Sequence, residues 1–194
     1  MNTTATDSTR RQMLITLGTS LASLTGCANA RDAESMLDRS KTPFVVQYDL
    51  APGAAEKSGL QAVTDTGARI FASSTLDERN GGLSSFGGTV RFPRWVQVTW
   101  REGVTPGLYW TTGTVVGSYR VEVLSRIPAE LFSQAQAAPN RAIKLHFRVK
   151  DDGVLLAWSI EEHVKNGFVE FLHDGDFKKP KFDNGKLVDP GWQK

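Results

Sequence analysis

The chain has 194 residues, enough for one domain with a hydrophobic core and too few for two comfortable ones. Its hydrophobic content of 40% and charged content of 23% are those of an ordinary globular domain, and a net charge of +2 gives no electrostatic footprint for nucleic acid. A single cysteine, Cys27, excludes an intramolecular disulfide framework.

The first segment reads as an export signal. Arg10 and Arg11 precede an apolar run from Met13 to Leu24, broken only by small or hydroxyl residues. The run is too short and too polar for a transmembrane helix. The arginine pair resembles a twin-arginine signal, although the residues leave the choice of export route open. Leu24-Thr25-Gly26-Cys27 resembles a bacterial lipobox, which implies cleavage after residue 26 and acylation of Cys27. The other reading, a stray small residue at the end of a conventionally cleaved signal, ignores that the one cysteine stands at the processing position. Ala28, where aspartate would favour inner-membrane retention, favours the outer membrane facing the periplasm. Removing residues 1–26 takes Asp7, Arg10 and Arg11 away and leaves a nearly neutral chain.

Residues 27–42 are the lipidated end and a polar tether without a sustained apolar face. Residues 43–194 form the single domain. Phe44–Leu50 is the first expected strand, residues 51–66 carry no clear pattern, and Ala68–Ser73 is the second strand. Asp77 to Gly88, DERNGGLSSFGG, reads as a loop; it lacks the lysine, hydroxyl and following helix of a phosphate cradle. Thr89–Phe92 leads through Pro93 into Trp95–Arg101, where Val96, Val98 and Trp100 oppose Gln97, Thr99 and Arg101. Pro106-Gly107 and Gly113 bracket Tyr109-Trp110 in a loop. Tyr119–Ser125 alternates again, with Tyr119, Val121 and Val123 toward the core.

Pro128 then opens the one convincing helix, running to Ala138 before Pro139-Asn140, with Leu131 and Phe132 toward the sheet. The stretch Asn140 to Glu162 is the plainest element: Ile143, Leu145, Phe147 and Val149 alternate with Lys144, His146, Arg148 and Lys150. Asp151-Asp152-Gly153 turns the chain, and Val154, Leu156, Trp158 and Ile160 share one face of the return strand. Phe168–His173 is the last strand, and a loop-like tail follows. The expected fold is α+β and mainly β, a largely antiparallel sheet, open or doubled into a sandwich, with one helix packed on it near 128–138.

The search for chemistry is mostly negative. No G-x-S-x-G nucleophile elbow occurs, and Ser84 and Ser85 lack its spacing. His146 reads as a solvated strand position, Glu161-Glu162-His163 lacks the second histidine of a zinc helix, and His173-Asp174-Gly175-Asp176 offers too few oxygens for a calcium loop. Neighbouring carboxylates such as Glu161 and Glu162 point to opposite faces of a strand, poor geometry for shared acid–base work. No cofactor or metal is expected. Two features remain as candidate partner contacts: the loop aromatics Tyr109, Trp110 and Trp192, and the cationic strand face of Lys144, Arg148 and Lys150.

The segments FPRWVQVTWREG, VGSYRVEVLSRIPAELF, PNRAIKLHFRVKDDGVLLAWSIEE and GDFKKPKFDNGKLVDPGW, over about residues 88–192, resemble bacterial lipoproteins encoded beside type VI secretion lipase effectors. The resemblance implies a non-catalytic immunity protein, anchored in the envelope, that binds a phospholipase effector and neutralises it. It fixes no contact residues. The competing expectation is an accessory lipoprotein that binds another envelope component and inhibits nothing. An enzyme would require His146 or His173 buried beside an ionised carboxylate in a pocket.

Overall fold

The computed structural model describes residues 39–86, 90–178, 181–183 and 186–188. Arg10, Arg11, Leu24, Thr25, Gly26, Cys27 and Trp192 lie outside the described residues.

Two sheets share one hydrophobic core. The first has strand order β4-β1-β7-β8-β9, built from β1 (Phe44–Leu50), β4 (Gly82–Phe86), β7 (Arg141–Val149), β8 (Val154–Val164) and β9 (Gly167–Gly175). The second has order β3-β2-β5-β6, from β2 (Lys57–Thr64), β3 (Arg69–Leu76), β5 (Trp95–Glu102) and β6 (Thr114–Glu122). Phe44, Val46 and Tyr48 of β1 and Leu145 and Phe147 of β7 meet Leu60, Ile70, Val96 and Val98 in one buried cluster. Tyr48 stacks between Phe147 at 4.9 Å and Phe71 at 4.2 Å, joining the sheets through aromatic rings. The choice between open sheet and sandwich thus falls to the sandwich.

Every described pairing is antiparallel except one. β1 lies parallel to β7, in register from Phe44 with Ile143 to Leu50 with Val149. The entire second sheet is inserted between these two strands. β1 is buried on both faces, and its run Phe44-Val45-Val46 has the unbroken apolar character of an interior strand. The hairpin β7–β8 matches its sequence pattern residue for residue, with Ile143 facing Ile160, Leu145 facing Trp158 and Phe147 facing Leu156. One helix, α1 (Ala129–Gln136), packs over β7 and β8, and Phe132 meets Phe92, which meets Phe44, edge to face. The helix is shorter than expected: Pro128, at ψ 145, caps it from outside instead of forming its first turn.

Two strands escape the alternation rule. β2 lies in the stretch without pattern; Gly59 (φ 55) sits within its register shift and under the Tyr109 carbonyl, where a Cβ would collide. β4 lies in the glycine-rich stretch read as loop. It is an edge strand antiparallel to β1, and Gly82 receives the Phe71 ring where a side chain would stand. In the tail, β10 (Lys181–Asp183) pairs with β11 (Lys186–Val188), so a short hairpin replaces the expected loop.

Candidate binding surface

Three groups of residues carry polar or aromatic chemistry, and the first lies where a solvated face was expected. The alternation of β7 correctly puts Lys144, His146 and Arg148 on one face, but that face is buried. Arg148 has no exposed surface and Lys144 and His146 have almost none. The expected cationic partner surface is therefore absent at Lys144 and Arg148. Period-2 spacing tells which residues share a face and not whether later chain covers it.

Among the described residues the cover comes from Asp49, from β9 and from Phe177 in the loop that follows it. Arg148 donates through Nε to Asp49 Oδ1 at 2.9 Å and through a terminal nitrogen to Oδ2 at 3.0 Å, while His146 Nε2 lies 3.0 Å from Oδ2. Phe177 closes over both, with the Arg148 guanidinium 4.3 Å from its ring centre and the His146 ring edge-on at 5.0 Å. Burial pushes the Asp49 carboxyl up, but hydrogen bonds from His146 and Arg148 outweigh it and hold the group below the ordinary carboxylate range. Lys144 pairs with Glu170 and lies 3.5 Å from Glu161. Glu162, on the opposite face, binds Arg141 at 2.8 Å, so the two neighbouring carboxylates do point apart.

The second group surrounds a cleft of about 940 Å³ at the β7–β8 turn, bounded by Ala51–Ala54, Lys150–Asp152, Leu155, Gly175 and Asp176. Each of its three carboxylates already faces a cation. Asp151 binds Lys57, Asp152 binds Lys150 at 3.0 Å, and Asp176 binds Arg126. The Lys57 hydrogen bond lowers the Asp151 carboxyl, and the Lys150 hydrogen bond lowers Asp152. This is a set of fixed ion pairs, with no carboxylate pair poised to share a proton. His146 is buried beside an ionised carboxylate and does not line this cleft. His173, half-buried, lies 3.2 Å from the Phe177 carbonyl. Lys150 is the one member of the expected cationic set with substantial exposure.

The third group is the β5–β6 connection, residues 103–113, with the start of β6. Tyr109 and Trp110 lie in this loop as expected, and both are half-buried. Trp110 donates from Nε1 to the Leu60 carbonyl at 3.2 Å, and the Arg69 guanidinium lies 5.7 Å from its ring centre. With Trp110 held by β2 and β3, the loop turns other apolar groups outward: Leu108 is 52% exposed, and Val115 and Val116 are similar. Gly117, at the register shift that follows, accommodates the Trp100 ring where a Cβ would clash. β6 is the edge of its sheet among the described residues.

Spacing could not reveal Asp49, Lys57, Glu170 or Phe177 as partners in these groups. Asp49 carried one usable signal, an acid inside an apolar strand, which demands a buried partner. The fold class is thus a mainly β, two-sheet α+β sandwich. No protein-family model, curated protein sequence or solved structure matches the chain.

Proposed function

We propose that this is a lipid-anchored envelope protein that acts by binding, and that its partner is a type VI secretion phospholipase which it neutralises. The observation that carries the binding reading is the exposed apolar group of Leu108, Val115 and Val116 at an edge strand, beside the anchored Trp110. Its strand edge, without a neighbouring strand among the described residues, lies beside apolar side chains and suits another protein's surface. The lipobox-like segment ending at Cys27 supports placement at the bilayer, where local concentration would favour a stoichiometric inhibitor. The resemblance to immunity-type lipoproteins supports the choice of a lipase.

The test mixes the chain from residue 28 onward with a type VI secretion phospholipase effector and follows phospholipid hydrolysis. Activity should fall to zero at one equivalent, and Leu108→Ser with Val116→Ser should weaken binding about tenfold or more. Undiminished hydrolysis at excess chain, with only resident envelope proteins recovered on the same bait, would leave an accessory lipoprotein instead.

A further inference from the structure

A second apolar cluster lies at the opposite end of the molecule, where β8 turns into β9. Val164, Phe168 and Val169 are each between 45% and 52% exposed. Strand alternation distributes them over both faces of the hairpin. Phe168 lies on the face of Lys144, whose ammonium is 5.3 Å from its ring centre. Val169 shares the other face with Phe171, which lies against Arg141. A protein laid on one face would cover one set of side chains. A medium that surrounds the tip covers both.

The position of the tip says which medium. Val169 is in register with Glu162, and Glu162 with Arg141; the His163 amide donates to the Asn140 carbonyl at 2.9 Å. The Ile143 amide donates to the Pro43 carbonyl, so β1 enters the sheet at this same end. The chain between Cys27 and Arg39 spans at most about 40 Å even when fully extended. An anchor at Cys27 therefore keeps Arg39, which leads into β1 at this end, within that distance of the bilayer. The charge fits as well. Lys41 and Lys165 are exposed here, whereas Glu162 is engaged by Arg141 and both Glu161 and Glu170 by Lys144.

Resting on the reading of Cys27 as the anchor, we infer that the Val164–Val169 tip is a second membrane contact, inserted among the headgroups of an anionic phospholipid leaflet. Two attachments fix an orientation that one tether leaves open. The nine-residue β7 spans about 30 Å. The β5–β6 loop stands at the far end, beside the β7–β8 turn that Lys57 ties to β2, and so faces away from the bilayer toward an arriving partner.

The experiment replaces Phe168, and separately Val115, with p-benzoylphenylalanine in the full chain and irradiates intact cells. Phospholipid adducts at position 168 and none at position 115 are the expected result. A protein adduct at 168 would make the tip a docking surface for another protein and overturn the proposal, as would no adduct at 168 or equal lipid adducts at both positions. Incorporation of labelled palmitate into the wild type and into Cys27→Ser tests the anchor separately. Label on the wild type and none on the variant is the expected result, and a wild type without label ends the anchor reading whatever is found at position 168.

Discussion

Tyr48 and Asp49 are neighbours in β1 that face opposite sides of the same sheet, and their polar atoms meet opposite fates. The Tyr48 hydroxyl is buried in the shared core without a hydrogen-bond partner, and burial holds its ionisation well above the ordinary phenol value. Asp49 is buried among donors that satisfy both oxygens. Tyr48→Phe should therefore leave stability unchanged or raise it by up to about 1 kcal/mol, whereas Asp49→Asn should cost about 3 kcal/mol by removing the charge that faces Arg148. Urea denaturation of the two variants measures both. Because the Asp49 carboxyl is lowered in the folded state, its contribution is complete above the unfolded carboxylate value near pH 4. It is lost as pH falls through the folded value. The wild type should thus lose stability in acid more steeply than Asp49→Asn, and equal slopes would show that Asp49 is not the group responsible.

Among the elements, β6 shows how one missing side chain shapes a surface. Gly117 lets the Trp100 ring lie against the strand and stack on Tyr119 at 5.2 Å, and the register shift beside it turns Val115 and Val116 outward. Gly117→Ala should lower stability by about 1–3 kcal/mol through overpacking, seen as a reduced urea midpoint. It should also weaken binding of the proposed lipase partner, since the apolar group depends on that backbone path. Stability equal to wild type would mean the ring moves aside freely. The edge strand β9 manages its exposure in another way. Leu172, at φ 55, occupies a register shift against β8, a break that interrupts regular edge-to-edge pairing.

For the whole molecule, the inserted second sheet makes β1–β7 pairing a late and long-range event, because nearly a hundred residues separate the partners. One core cluster spans both sheets, so neither can keep its apolar face buried alone. Unfolding followed by tryptophan fluorescence and by far-ultraviolet circular dichroism should therefore trace a single coincident transition. Two separated transitions would show that the sheets are independently stable.

The β7–β8 hairpin, the packed helix, the mainly β class and the core faces of β5 and β7 were legible in the sequence because each depends on local periodicity and turn chemistry. β2 and β4 were not, since Gly59 and Gly82 serve contacts with distant Tyr109 and Phe71 and break the local pattern. At the candidate surface, the loop holding Tyr109 and Trp110 was visible as a loop, but its outward groups proved to be Leu108, Val115 and Val116. The sequence by itself determined the partition of side chains between faces and the lipobox-like segment at Cys27. Only the tertiary structure decided that the face of Lys144, His146 and Arg148 is interior and that two apolar clusters stand at opposite ends. Periodicity is a property of neighbours along the chain, whereas burial depends on residues such as Asp49, Glu170 and Phe177, brought in from elsewhere by pairing and packing.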